Sequence, residues 1–131
     1  MSVVVLDASA AVELLRASRT GRQVARVLRG KVVAAPGHLD AEVLSALGRL
    51  ARAADLAPER VERSLAELAR APVRRFPVPP LLAAAWALRA NLSLRDALYV
   101  ALARRLEANL VTADARLARA PDLGIALTVV G

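Results

Sequence analysis

Four carboxylates stand where a parallel α/β fold gathers its ligands, at the carboxyl ends of strands: Asp7, Glu42, Asp96 and Asp114. Asp7 ends the β-branched run SVVVL at Ser2–Leu6, and Asp114 follows the run NLVT at Asn109–Thr112. Glu42 and Asp96 fall in the first turns of two helical patterns, the second opened by Ser93. Each acid has an ordinary structural role open to it. Asp7 and Asp114 have the type and place of helix N-caps, Ser93 with Asp96 fits the acidic variant of a capping box, and Glu42 is favoured by a helix dipole. Capping alone leaves unexplained why four strand-end loops all carry an acid in a chain with 12 Asp and Glu, and one Asp can both cap and ligate.

If the four converge, their mutual repulsion demands a cation, because adjacent carboxylates do not all stay ionised unaided. The chain has no cysteine, and His38 is its one histidine, so zinc sites, thiol nucleophiles and the two-histidine, metal-free route to RNA cleavage lack their residues. An all-oxygen donor set suits a hard ion, Mg²⁺ or Mn²⁺, and no D-x-D-x-D-G loop points to calcium. The matching chemistry is phosphoryl transfer, with the ion activating water for in-line attack on phosphorus.

The elements that must position these acids alternate along the chain. Short apolar runs at Ser2–Leu6, Lys31–Ala35, Asn109–Thr112 and Ile125–Val130 predict strands, and Val73–Val78 is a further candidate. An Ala/Leu-rich helical stretch follows Asp7. Helices are predicted from Leu39 to about Ala54, Pro58 to about Ala71, Pro80 to Ala90 and Ser93 to Ala108, with a short one near Asp114. In the first of these Leu39, Val43, Ala46, Leu47, Leu50 and Ala54 form an apolar stripe, with Glu42 at its border. Strands separated by helices imply right-handed crossovers, and the expected class is three-layer α/β with a mainly parallel sheet.

Composition agrees. With 131 residues and 56% of them hydrophobic, the chain is expected to form one domain over 1–131, burying about two-thirds of its unfolded surface. No apolar run approaches the roughly 20 residues of a membrane span, and the amino terminus lacks the basic start of a signal peptide, which points to the cytoplasm. The 19 basic residues are arginine except for Lys31 and give a net charge of +7, as suits a polyanionic partner or simply an Arg- and Ala-rich composition.

The motifs around the acids resemble those of PIN-domain ribonucleases, particularly the VapC toxins of bacterial toxin–antitoxin pairs. The similar segments are VVVLDASA at Val3–Ala10, HLDAEVLSAL at His38–Leu47, LSLRDALYVALA at Leu92–Ala103 and LVTADARLARA at Leu110–Ala120, and together they span nearly the whole chain. DALYVALA followed by a strand and TAD is the most specific part. The resemblance implies an α/β/α fold with a five-stranded parallel sheet and a Mg²⁺-dependent endoribonuclease that leaves a 5′-phosphate and a 3′-hydroxyl. It further implies a homodimer and a VapB-type antitoxin partner. Asp7, Glu42 and Asp96 match the family's principal acids and Asp114 the acid of its T-x-D motif, while Thr112 and Ser9 match accessory hydroxyls. Arg95 departs from the pattern, since an aromatic or small residue often precedes the third acid.

His38 is expected to serve the loop before its helix rather than catalysis, and Trp86 and Tyr99 to lie in the core. With aromatics so sparse, RNA would be held by arginine contacts to phosphates, for which Arg95 and Arg116 are candidates. Asp40, two residues from Glu42, projects from another side of the helix and is set aside. The Arg-rich apolar helices before residue 72 are candidates for an antitoxin groove. A catalytically silent PIN-like module that binds RNA or a protein is the alternative. A phosphoacceptor receiver domain lacks its acidic pair and late lysine here, and no G-x-G-x-x-G or G-K-[ST] supports nucleotide binding.

Overall fold

The structure, a computed structural model, describes residues 2–121 and 123–131. Five strands form one sheet: β1 (Val3–Leu6), β2 (Val32–Pro36), β3 (Val73–Phe76), β4 (Asn109–Thr112) and β5 (Leu127–Val129). All four pairings are parallel and the order is β3-β2-β1-β4-β5. Central β1 sets the register, with Val5 beside Ala34 on one flank and Leu110 on the other, all three fully buried. A strand covered on both faces has no polar side to show, which is why these runs read as continuous apolar stretches.

Right-handed crossovers put α1 (Ala8–Leu15), α2 (Arg19–Leu28), α3 (Leu39–Arg52) and α4 (Pro58–Arg70) on one face of the sheet and α5 (Leu82–Ala87) and α6 (Leu94–Leu106) on the other. This is the three-layer α/β/α arrangement. The chain leaves β1 towards β2 and β3, then returns to lay β4 on the opposite side of β1. The carboxyl ends of β1 and β4 therefore flank the point where the strand order reverses, where connecting segments diverge and open a crevice.

Helix boundaries follow from local chemistry. Asp7 caps α1 by accepting from the Ala10 amide at 3.0 Å, and Ser18 caps α2 through the Gly21 amide at 2.9 Å. Between them the chain turns at Ala17, whose φ of 53° lies in the left-handed region. Gly21 is the point of closest approach of the two helices: a Cβ there would stand 1.9 Å from the Glu13 carbonyl oxygen. In α3 the expected stripe is fully buried at Leu39, Val43 and Leu47 and half-buried at Ala46 and Leu50, whereas Ala54 lies beyond the end of the helix, exposed and with a φ of 60°. Helix α6 is buried nearly all round, from Ala97 through Tyr99 to Ala103, so its sequence shows little amphipathic contrast.

Several expected boundaries shift. The third strand ends at Phe76 because Pro77 lacks the N–H to continue a ladder, and the last strand is shorter than Ile125–Val130. The helix expected over Pro80–Ala90 is a 3-10 turn at Pro79–Leu81 followed by the short α5, and the element after Asp114 is likewise a 3-10 turn, Ala115–Arg119. Trp86 is not a core residue: it is 56% exposed on α5, with the Arg89 guanidinium stacked 4.6 Å from its ring centre. Among the described residues no helix is long and apolar enough to cross a membrane.

Candidate active site

Asp7 is the buried centre of the site, 4% exposed at the end of β1. Its Oδ1 accepts from Ser9 Oγ at 2.7 Å and from the Ala10 amide, and its Oδ2 accepts from Thr112 Oγ1 at the end of β4. Both hydroxyls also accept from the loop beyond β4: Ser9 from the Ala113 amide at 2.9 Å and Thr112 from the Asp114 amide at 3.0 Å. Each hydroxyl has one proton and gives it to Asp7, so the 3.2 Å between them is an approach of two oxygens rather than an added bond. The hydroxyls thus tie the two strand ends together through one carboxylate. Burial pushes the Asp7 carboxyl above the usual carboxylate range; the bonds from Thr112, Ala10 and Ser9 oppose that rise, and the charge of Asp96 adds to it.

Glu42 enters from the first turn of α3, with a side chain 17% exposed. Tyr99, on the second turn of α6, donates its hydroxyl to Glu42 Oε1 at 2.6 Å. His38 Nε2 lies 3.2 Å from the same oxygen and 3.2 Å from the Arg95 carbonyl; both neighbours are acceptors, so this nitrogen carries a proton. The imidazole packs against the Tyr99 ring with centroids 4.7 Å apart, and Arg95 forms a longer ion pair with Glu42 at 3.6 Å. Burial pushes the Glu42 carboxyl up, but bonds from His38 and Tyr99 with the nearby positive charge outweigh it and hold the group below its ordinary value. Tyr99 is pushed upward by burial and then by Glu42, so it remains a donor at any physiological pH.

Asp96 and Asp114 complete the set. Ser93 Oγ accepts from the Asp96 amide at 3.2 Å, but the Asp96 carboxylate returns no bond, so the capping box is half formed and this acid is left to face the cleft. Asp114 caps the 3-10 turn through the Arg116 amide and is gripped by the Arg116 guanidinium at 2.8 Å, which lowers its pKa. Glu42, Asp96 and Asp114 line one cleft of about 920 Å³ with Ser9, and Asp7 lies buried beneath Ser9. As the side chains stand, no three carboxylate or imidazole groups among the described residues close on a single ion. The donors themselves fit a hard cation: they are all oxygen, and one of them is a carboxylate buried against its usual protonation balance. Here arginines supply the positive charge, with Arg116 on Asp114 and Arg95 beside Glu42.

This geometry agrees with what the chain resembles. The PIN domain family model matches residues 4–123. The chain belongs to the PIN-domain family. Among its relatives, Ribonuclease VapC3 of Mycobacterium tuberculosis is 50% identical over 118 residues, covering 89% of this chain and 86% of that protein. Two solved structures share the fold. VapBC2 from Rickettsia felis, bound to a DNA fragment from its promoter, matches with a TM-score of 0.70 at 14% identity, over 98% of this chain and 99% of that one. The sarcin–ricin-loop-cleaving toxin VapC20 of Mycobacterium tuberculosis matches with a TM-score of 0.66 at 20% identity, over 92% of each chain.

In this PIN fold Glu42, Asp96 and Asp114, three of the four acids read from sequence, line the crevice of the strand-order reversal with Ser9, and Asp7 lies buried behind it, bonded to Ser9 and Thr112. Arg95 and Arg116 stand at its rim, their side chains 74% and 79% exposed. Asp40 is elsewhere, paired bidentately with Arg75 at 2.9 Å. Two further residues at this cleft were not foreseen. Tyr99 is 1% exposed, as expected of its ring, but its hydroxyl serves Glu42, and His38 binds the same carboxylate. The available signal was helical spacing: Tyr99 lies three residues after Asp96 and His38 four before Glu42, so each shares a face with an acid.

Proposed function

We propose that this PIN-domain protein is a divalent-metal-dependent endoribonuclease, the toxin of a VapBC-type pair, that hydrolyses RNA phosphodiester bonds with water. The observation that carries this is that Glu42, Asp96 and Asp114 line one cleft rimmed by arginine, with Asp7 buried behind its Ser9 wall. Mg²⁺, or Mn²⁺ in its place, would be held by these acids and would supply Lewis-acid polarisation of the scissile phosphate and of its attacking water. The remaining work falls to the chain. Ser9 and Thr112 fix both oxygens of Asp7, and Tyr99 with His38 fixes the rotamer of Glu42, so the acids are aimed before substrate arrives. Arg95 and Arg116, exposed and among the described residues paired with site acids, are placed to turn from carboxylate to substrate phosphate once a cation takes over those acids.

The same proposal includes a VapB-like antitoxin, a homodimer and a cytoplasmic setting. Leu82 and Trp86, one turn apart on α5 and more than half exposed, are apolar side chains that a second copy would cover. The decisive assay incubates the protein with structured RNAs in Mg²⁺ and in EDTA, alongside Asp96→Asn. Cleavage that needs the ion and is lost in the variant is the expected result. Binding of RNA with no cleavage under any ion would favour the silent module instead, a reading to which the arginine grip on Asp114 lends its one support.

A further inference from the structure

Helix α2 carries its charge in an unusual way. Arg19, Arg22 and Arg26 are all exposed and project within about 60° of arc at 3.6 residues per turn, and Arg29 at the C-cap extends the row. Gly21, Val24, Val27 and Leu28 occupy the opposite face and pack inward. No acid lies in the helix, and among the described residues none of the four arginines forms an ion pair; Arg22 only reaches the Ala17 carbonyl at 3.5 Å. Like charges at i,i+3 and i,i+4 destabilise a helix, and cations at its amino end oppose the dipole. Arg19 and Arg22 do both.

Helix α4 shows that the chain builds neutral solvated faces elsewhere. It alternates Glu59, Glu62 and Glu67 with Arg60, Arg63 and Arg70, placing an acid in the first turn and a base in the last as the dipole favours. Arginine-rich composition therefore does not dictate the α2 pattern. Position also matters: Thr20, in the first turn of α2, and Gly131 both line the catalytic cleft, and the Gly131 amide donates to Gln23 Oε1 at 3.0 Å. Thr20 projects about 130° of arc from the centre of the row at 3.6 residues per turn, so the arginines lie outside the cleft lining, on another face of the same helix, in a row about 10 Å long over Arg19 to Arg26 at 1.5 Å per residue.

We infer that the arginine row of α2 is a phosphate-tracking surface that holds RNA beyond the cleavage point, so that strands long enough to span cleft and helix are bound in preference to short ones. The identity of the polyanion rests on the ribonuclease reading; the surface itself rests on the charge pattern. An acidic polypeptide is the competing occupant.

The test compares Arg22→Gln/Arg26→Gln with a control pair on α4, Arg63→Gln/Arg70→Gln, and with the charge-preserving Arg22→Lys/Arg26→Lys. Anisotropy in EDTA reads binding of a labelled stem–loop RNA with a single-stranded tail, and of a polyglutamate peptide, across a salt series. For the α2 glutamine pair the plot of log affinity against log salt should be shallower by about 1.4, at 0.7 per lost phosphate contact, with roughly ten-fold weaker binding at physiological salt. The lysine pair should restore the slope, and the α4 pair should leave it unchanged. Cleavage of a tetranucleotide in Mg²⁺, too short to fill the cleft and also reach Arg22 and Arg26, should be the same in all. An α2 slope equal to that of the native chain or of the α4 pair overturns the inference, as does lost affinity for polyglutamate with RNA binding intact. The EDTA arm reads the surface and the Mg²⁺ arm reads the nuclease, so the two can fail separately.

Discussion

Removing one hydroxyl, by Tyr99→Phe, tests how the site is held. The ring is 1% exposed and stays packed, so the change deletes a single donor, 2.6 Å from Glu42 Oε1, and leaves a space of one oxygen. A hydrogen bond to a charged group is worth about 1.5–3 kcal/mol. Glu42 keeps His38 at 3.2 Å and faces a water-filled cleft, so part of that is regained, and the net loss should be about 1–2 kcal/mol. For a chain of this size that lowers Tm by about 3–8 °C. Loss of the bond also lets the Glu42 pKa rise toward the ordinary value, so the acid side of the pH–rate profile should move to higher pH. A carboxylate freed from one orientation should cost about ten-fold in cleavage, as 1.4 kcal/mol of lost positioning implies. Calorimetry, Mn²⁺ titration and a pH profile read the three effects. If Tm falls while Mn²⁺ affinity and the pH profile stay put, Tyr99 is only a core residue and the reasoning is refuted.

Asp7→Asn should stabilise the ion-free protein at neutral pH. The native carboxyl is raised above its unfolded value near 3.8, so stability is fullest below that pH and is lost as pH climbs through the higher folded pKa. The gain from the variant should therefore shrink as melts are run at progressively more acid pH, and a variant less stable at neutral pH would contradict the burial argument. Gly21→Ala should cost about 3 kcal/mol, at the upper end for overpacking, because the new Cβ meets the Glu13 backbone rather than a movable side chain. A Tm drop near 10 °C is expected, and an unchanged melt would mean that α1 and α2 separate freely. Asp40→Asn, by contrast, should leave RNA cleavage intact and cost no more than about 1 kcal/mol, since its pair with Arg75 is partly exposed. Loss of cleavage in that variant would move Asp40 into the site.

Much of this molecule was legible before its fold was known. The apolar runs of β1 and β4 are unbroken because a central parallel strand is buried on both faces, and the acids after them were placed by the rule that ligands gather at strand ends. The periodicity of α3 gave its buried face for the same kind of reason. Local signals failed where neighbours decide. Trp86 sits in an aliphatic stretch that looks like core, yet α5 is a short surface helix and nothing in the chain's spacing said so.

The four acids and their places at the strand ends were thus legible in sequence, because residue type and the strand–loop–helix pattern are local properties. Only tertiary structure decided how each acid is held. Asp7 and Thr112 are 105 positions apart, and Glu42 and Tyr99 are 57 apart. Bonds across such separations form only when the sheet sets β1 beside β4 and the helices close over the strand ends. Burial, which raises one carboxyl while bonds and charge lower another, is likewise a property of the packed chain. The sequence names four carboxylates, and the fold decides which is desolvated, which is clamped and which is left open to the cleft.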